Sequence, residues 1–229
     1  MTHFEGHPLT GHEALIFDLD DTLYPFGNFL SEEKFWEIFY GYVARANNMT
    51  EAEVKTRCEE MLATGMMDLI PAWKDKHVFD IADFTACIDS QDISHMGPCD
   101  ETRDLLANWQ GQVVVFTNAH RSHAERVLEK IGLTPHVAHI CDYTTRNLRA
   151  KPDPVIYTEL LERLALDPKQ CVMFEDRANN LEPAHALGMG TVMVHPEPHD
   201  LPYVDYWYPD LLTWVRGVRQ QLEKTSAVA

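Results

Sequence analysis

A short acidic run, Asp18-Leu19-Asp20-Asp21-Thr22, follows directly on the apolar segment Ala14-Leu15-Ile16-Phe17. Such a segment, bounded by polar residues, predicts a buried strand. Because side chains alternate along a strand, the carboxylates of Asp18 and Asp20 are expected to point the same way. Like charges repel at the end of a buried strand unless a cation joins them. The run therefore indicates a metal ion, a cationic side chain or a catalytic task, rather than a solvated acidic turn.

Other polar groups lie at the ends of other predicted elements. They are Thr117, Asn118, Lys151, Glu175 and Asp176. Ligands of open parallel sheets bind at the carboxyl ends of the strands, so we expect these groups to share one site with the acidic run. Carboxylates, a hydroxyl, an amide and an ammonium suit a phosphate dianion held together with a hard cation. The set therefore predicts a phosphate site with Mg²⁺.

These groups suggest a route for phosphoryl transfer. Asp18 is expected to attack phosphorus and form an aspartyl phosphate. Mg²⁺ would offset the repulsion between carboxylate and phosphate. Its expected ligands are the carboxylates of Asp18 and Asp176 and the backbone carbonyl of Asp20. Lys151 would supply a second, catalytic counter-charge and would also bind phosphate.

The remaining groups are expected to handle protons and phosphoryl oxygens. Asp20 would protonate the leaving alkoxide and then activate water, and burial among carboxylates is expected to raise its pKa for the first task. Thr117 and Asn118, with the backbone N–H groups of the helix start that follows, would bind the phosphoryl oxygens. Glu175 and Thr22 would support the groups that touch substrate and metal.

Alternating elements are predicted to position these groups. Strands are expected at residues 14–17, 113–116, 137–141, 171–174 and 191–194. Helices are expected at residues 100–109, 121–131, 152–166, 179–187 and 208–223. The alternation predicts an α/β fold, with a Rossmann-like three-layer core built on a parallel sheet.

A block of helical character separates the first strand from the rest. Its helices are predicted from Ser31 onward and at residues 50–63, 66–73 and 79–88. We therefore predict a core formed by residues 1–24 and 96–229, with a helical domain, residues 25–95, inserted after the first strand.

Composition narrows the classes of function. The chain has 229 residues, of which 45% are hydrophobic, enough for a packed core with a smaller insert. The formal net charge of −17 disfavours nucleic-acid polymers and anionic membranes as partners, because both need basic surface. No apolar stretch approaches the ~18 residues of a membrane span, and residues 1–13 lack a secretion-signal pattern. Five scattered cysteines without a CxxC pair favour a cytoplasmic protein.

Four ordered motifs resemble those of the haloacid dehalogenase-like superfamily. They are Asp18-Leu19-Asp20-Asp21-Thr22, Thr117-Asn118, Lys151-Pro152 and Glu175-Asp176. The resemblance implies a hydrolase core in which the inserted helices form a cap.

A narrower resemblance concerns the residues around these motifs. The run Phe17 to Pro25 is similar to the opening of pyrimidine 5′-nucleotidase-like phosphatases, and residues 116–119 and 141–143 support the same branch. Two positions depart from this branch. Glu175 before Asp176 resembles the pattern of sugar-phosphate mutases and other phosphatases, and Arg177 replaces a small polar residue.

The expected function is that of a Mg²⁺-dependent phosphomonoesterase acting on a small phosphorylated metabolite, with pyrimidine nucleoside 5′-monophosphates as candidates. Glu175 permits two alternatives, a phosphosugar mutase and a sugar-phosphate phosphatase. Dehalogenation requires no Mg²⁺ and no acid to protonate an alkoxide. The presence of Asp20, the expected acid, therefore argues against dehalogenation. A catalytically silent binding protein on the same fold is a further alternative, which the intact motifs disfavour.

Three further features receive structural interpretations. The twelve histidines show no ligand spacing, and none is assigned to catalysis. Arg177 is interpreted as pointing to solvent rather than binding substrate phosphate. The aromatic stripe of Phe35, Trp36, Phe39 and Tyr40 is interpreted as the core of the helical insert rather than a surface for a nucleobase.

Overall fold

The structure is a computed structural model that describes residues 12–64, 69–146 and 149–226. The chain divides into two compact units. The residues up to Phe26 form the first unit together with those from Met96 onward, and Gly27–His95 form the second. We call them the sheet unit and the helical unit. The role of the helical unit as a cap stays a prediction.

The described residues of the sheet unit form one six-stranded sheet. Its strands are β1 (Ala14–Phe17), β2 (Gln112–Phe116), β3 (His139–Cys141), β4 (Cys171–Glu175), β5 (Gly190–Val194) and β6 (Tyr206–Tyr208). Their spatial order is β3-β2-β1-β4-β5-β6, and every neighbouring pair is parallel. The predicted α/β class is confirmed. Every residue of β1 and β4 is buried, as expected for the centre of a sheet covered on both faces.

Helices occupy both units. Those of the helical unit are α1 (Glu32–Asn47), α2 (Glu51–Ala63), α3 (Leu69–Lys76) and α4 (Ile81–Asp89). Those of the sheet unit are α5 (Asp100–Ala107), α6 (Arg121–Lys130), α7 (Pro154–Leu164), α8 (Ala178–Ala186) and α9 (Leu211–Ser226). Of the helix predicted at residues 66–73, residues 66–68 lie outside the described part of the chain.

Buried aromatic rings anchor the strand ends that carry the polar motifs. Phe17 precedes Asp18, and its ring stacks on Phe174 at a centroid distance of 4.5 Å. Trp214 of α9 meets Phe174 edge-on at 4.6 Å. Phe116, which precedes Thr117, packs edge-on against Tyr157 of α7 at 5.1 Å. Because these rings are fully buried, the polar residues that follow them have fixed starting points.

Two predicted boundaries are wrong for reasons of proline geometry. Residues 206–208 form β6, whereas residue 208 was predicted to begin a helix. Tyr-Trp-Tyr favours a strand, and Pro209 holds the residue before it in extended backbone, so α9 begins at Leu211. Similarly, α7 begins at Pro154 rather than Pro152. Asp153 precedes a proline and caps the helix by accepting a hydrogen bond from Val155 N.

Side-chain caps fix the starts of α1, α2 and α4 in the helical unit. Ser31 accepts a hydrogen bond from Lys34 N, and Thr50 with Glu53 forms a complete capping box. Asp80 accepts from two backbone N–H groups of α4. Phe39 lies at the centre of the unit, and the rings of Phe79 and Phe84 pack around it, while Trp36 stacks on Tyr40 at 5.4 Å.

Truncation of Phe174 tests the anchoring of the strand ends. Phe174→Ala is expected to lower the free energy of unfolding by about 3–5 kcal/mol, because it removes the contacts with Phe17 and Trp214 and leaves a cavity. Urea unfolding measures this loss. Val155→Ala is the control, since Val155 is 44% exposed in α7 and its truncation is expected to change stability by at most about 0.5 kcal/mol. A loss below about 1 kcal/mol for Phe174→Ala would contradict the anchoring.

Candidate active site

Three adjacent strands bring the predicted site residues to one edge of the sheet. Strand β1 lies between β2 and β4, so Asp18 follows the central strand, Thr117 follows one neighbour and Glu175 ends the other. Phe17 is in register with Phe174, and Asp18 N donates a hydrogen bond to Phe174 O at 2.9 Å. The register therefore places the carboxylates of Asp18 and Glu175 side by side.

Lys151 joins these two carboxylates. Its Nζ lies 2.8 Å from Asp18 Oδ1 and 2.5 Å from Glu175 Oε2, and the side chain is buried. The ammonium also lies 5.5 Å from the centre of the Phe116 ring. A buried ammonium needs opposite charges and hydrogen-bond acceptors around it, and here two carboxylates supply both.

The backbone of Lys151 is held by the amide of Asn118. Asn118 Oδ1 accepts from Lys151 N at 2.8 Å, and Nδ2 donates to Lys151 O at 3.1 Å. Arg146 supports the same loop, because its Nη2 donates to Thr117 O at 2.5 Å and to Asn118 Oδ1 at 3.3 Å. Asn118 thus orients Lys151, and its predicted contact with phosphate stays a prediction.

Two buried hydroxyl groups lie near the strand ends. Thr117 Oγ1 accepts from Ala119 N at 3.0 Å, and within the described ranges no acceptor is recorded for its O–H. Thr22 Oγ1 is buried without a hydrogen-bond partner among the described residues. The Thr117 hydroxyl can therefore donate to an incoming oxygen atom.

Three acids form a compact group. Oxygen atoms of Asp18, Glu175 and Asp176 lie within 4.8 Å of one another. Burial, followed by the charge of Glu175, raises the pKa of Asp18 to about 7, although Lys151 opposes the rise. Burial and the charges of Glu175 and Asp18 raise the pKa of Asp176 to about 10. Because a nearby positive charge favours the ionised form of a carboxyl group, a further cation would lower both raised pKa values, and the three acids can accept one.

The Asp20 carboxylate lies with two other side chains. Its Oδ1 accepts a hydrogen bond from Tyr24 Oη at 2.5 Å, and His123 Nε2 lies 2.9 Å from the same oxygen. Burial would raise the pKa of Asp20, but the contacts with His123 and Tyr24 outweigh it and lower the pKa. The predicted direction, a raised pKa, is therefore wrong, because the sequence did not reveal these partners.

Three residues of this region were missed by sequence reasoning. His123 faces the sheet from the first turn of α6, beside the buried Ala124 and Val127. That position on the apolar face of a helix was an available signal. Asp142 and Arg146 are buried between β3 and α7, Asp142 directly after the strand and Arg146 in a short 3-10 helix. Charged residues are usually solvated in such connections, so their types gave no signal. Arg177, in contrast, is exposed, as interpreted from the sequence.

A cavity of about 930 Å³ borders this edge within the sheet unit. Asp176 and residues 21–25 line one part, and the starts of α5 and α9 line another. The cavity offers space next to Asp176, one of the three acids.

Comparisons with known proteins identify the family of the chain. A family model described as haloacid dehalogenase-like hydrolase matches residues 12–188, and the chain belongs to this family. The fructose-1-phosphate phosphatase YqaB of Escherichia coli K12 is 24% identical over 188 residues, covering 80% of this chain and 96% of the relative. The bifunctional epoxide hydrolase 2 of mouse is 44% identical over 45 residues, 20% of this chain, and the match spans only 8% of that protein.

Solved structures share the fold. A haloacid dehalogenase-like phosphatase from Thermococcus onnurineus has a TM-score of 0.63 at 19% identity, covering 92% of this chain and 97% of its own. The L-2-haloacid dehalogenase of Xanthobacter autotrophicus has a TM-score of 0.58 at 12% identity, covering 91% and 98%. Phosphatases and dehalogenases thus share this architecture, so the fold does not decide between the two reactions. A search of the described residues for a membrane-spanning helix found none.

Removal of Lys151 tests its electrostatic role. Lys151→Met is expected to lower the free energy of unfolding by about 3–5 kcal/mol, because it leaves buried carboxylates without their partner. Urea unfolding at neutral pH without divalent ions measures the effect. Lys169→Met, a lysine remote from these acids, serves as the control and is expected to change stability by at most about 0.5 kcal/mol. Equal effects of both substitutions would show that the ammonium does not stabilise the group.

Proposed function

We propose that this protein is a Mg²⁺-dependent phosphomonoesterase that hydrolyses a small phosphorylated metabolite through an aspartyl phosphate on Asp18. One observation carries the proposal. A second carboxylate, Asp20, is held by hydrogen bonds two residues after Asp18, beside the group of acids bridged by Lys151. Phosphate ester hydrolysis needs such an acid for its alkoxide leaving group, whereas displacement of a halide does not.

The acid group supports the assignment of Mg²⁺. Carboxylate oxygens are the ligands that this hard cation prefers, and Asp18 and Asp176 present them within one group. The backbone carbonyl of Asp20 is the third proposed ligand, and Glu175 supports the group while it pairs with Lys151. When bound, Mg²⁺ would offset the negative charge of the phosphoryl group.

Asp18 is the proposed nucleophile. Lys151 holds its Oδ1, which leaves the other carboxylate oxygen for attack on phosphorus. The proposal assigns phosphoryl binding to the Lys151 ammonium and the Thr117 hydroxyl, with Asn118 keeping Lys151 in place. Thr22 would support the loop that carries both acids. Preorganised charges and donors of this kind stabilise the transition state without reorganising during the reaction.

Asp20 is the proposed general acid and base. It would give its proton to the leaving alkoxide when Asp18 takes the phosphoryl group. The resulting carboxylate would then take a proton from the water that attacks phosphorus and frees Asp18. This cycle needs one carboxylate near the reacting oxygen atoms in both steps, and Asp20 is 27% exposed at its side chain, so it is accessible.

The substrate class has two candidates. The sequence resemblance favours a pyrimidine nucleoside 5′-monophosphate. The name of the relative that matches over 96% of its length favours a sugar phosphate. Release of inorganic phosphate from a panel of nucleoside monophosphates and sugar phosphates, with Mg²⁺ and with chelator, tests the function and separates the candidates. Absence of phosphate release from every monoester would refute the proposed function.

Substitution of the nucleophile tests the covalent route. Asp18→Asn is expected to lower kcat by at least about 10⁴-fold, because an amide oxygen does not form the ester. Asp21→Asn is the matched control, since Asp21 is exposed in the same loop and its carboxylate accepts a hydrogen bond from Phe26 N. The control is expected to retain activity within about threefold. Retained activity in Asp18→Asn would contradict the aspartyl phosphate.

Thermal unfolding tests the metal site without any substrate. Mg²⁺ at 100 times its Kd is expected to stabilise the wild-type chain by about 2.7 kcal/mol and raise its Tm, because it binds only the folded state. Asp176→Asn removes one proposed ligand charge and is expected to abolish most of this shift. Asp210→Asn, in the sheet unit but outside the acid group, is the control and should keep it. An equal shift in all three proteins would contradict the assigned ligands.

A further inference from the structure

Two side chains meet one oxygen atom of Asp20. Tyr24 Oη lies 2.5 Å from Oδ1, His123 Nε2 lies 2.9 Å from it, and the two partners lie 3.4 Å apart. We propose that His123, together with Tyr24, is a positioning residue that holds Oδ1 and directs Oδ2 of Asp20 to exchange the proton with substrate and water. The inference rests on the proposed function and assigns a task to a histidine that the motifs do not include.

The chemistry of the three groups explains the division between the oxygens. An ionised carboxylate only accepts hydrogen bonds, so Tyr24 O–H and His123 Nε2–H both donate to Oδ1. Within the described residues, no hydrogen bond ends on Oδ2. When the carboxyl group is protonated, Oδ1 still accepts the two bonds and the proton resides on Oδ2. The same oxygen therefore gives the proton in one step and takes it back in the next.

The exposed fractions of the side chains agree with the direction from which the hydrogen bonds come. The His123 side chain is 5% exposed, whereas that of Asp20 is 27% exposed. Both donors thus approach from the protein side, and the accessible side of the carboxylate is left for the reacting groups.

Local structure fixes the positions of both donors. His123 lies in the first turn of α6, directly after the loop that carries Thr117 and Asn118. Tyr24 is 3% exposed, and its backbone forms an isolated β-bridge with that of Asp20. A carboxylate held by two such groups keeps one orientation, and correct orientation of an acid contributes strongly to its catalytic effect.

The proton balance of the reaction follows from this geometry. In the first step the bond from Asp18 to phosphorus forms, the bond from phosphorus to the alkoxide oxygen breaks, and Oδ2–H of Asp20 protonates that oxygen. In the second step water attacks phosphorus, its proton passes to Oδ2, and the Asp18 carboxylate leaves. No oxidant or additional reactant is needed.

Single-turnover kinetics test the inference. His123→Ala and Tyr24→Phe are expected to slow alcohol release from an alkyl phosphate about 10- to 100-fold, because alkoxides leave only when protonated. Release of nitrophenolate from 4-nitrophenyl phosphate is expected to slow at most about threefold, because this group leaves without a proton. His123→Gln offers an amide N–H at a similar reach and is expected to recover most of the rate. His139→Ala, at an exposed residue at the far end of β3, is the control.

The outcomes separate the inference from the function on which it rests. If the wild-type chain hydrolyses both phosphates and a variant loses equal activity on both, the positioning role is overturned while the function stands. If the wild-type chain hydrolyses neither, the proposed function falls and the inference falls with it. If His123→Ala does not fold, Tyr24→Phe, which removes a single oxygen, gives the same test.

Discussion

One buried ammonium organises the candidate site. Lys151 lies between Asp18 and Glu175, at distances that give two charge-assisted hydrogen bonds. Without it, the ends of β1 and β4 would place uncompensated carboxylates side by side. Its position depends on Asn118 after β2, whose amide binds both backbone groups of Lys151. Three neighbouring strands and one loop are therefore coupled through a single residue, whose side chain binds two carboxylates and whose backbone binds Asn118. The separation between the strands sets the spacing of these polar groups.

The acidic groups of the site outnumber its basic groups. Three acids face one ammonium, and the pKa of Asp176 rises to about 10 because burial and its neighbours disfavour another negative charge. A cation bound to such a group would favour the ionised form of its carboxyl groups. Asp20 lies beside this group but has partners of its own, because His123 and Tyr24 bind its carboxylate and lower its pKa. Asp18 and Asp20 belong to one motif but thus occupy different environments, because the pKa of Asp18 is raised and that of Asp20 is lowered.

The sequence predicted the elements that carry strong local signals. The apolar run before Asp18, the N-caps at Ser31 and Thr50, and the alternation of strands and helices were sufficient for the α/β class. The motifs identified the residues that meet at the strand ends. The contact of His123 with Asp20 joins residues far apart in the chain and was missed, although the apolar helix face gave a signal that His123 is buried. The burial of Arg146 was missed because its residue type and position gave no such signal. Strand β6 was missed because its three residues are too few to show an alternating pattern, although aromatic residues favour a strand.

The central claim is that Asp18 becomes esterified by phosphorus. Acid quenching of the wild-type chain during turnover of a substrate from the panel, followed by proteolysis and tandem mass spectrometry, tests it directly. The account predicts a phosphoryl group on the Asp18 side chain that is lost on treatment with hydroxylamine, as expected of an acyl phosphate. Phosphate release without any phosphorylated peptide containing Asp18, or with the phosphoryl group on another residue, would contradict the account.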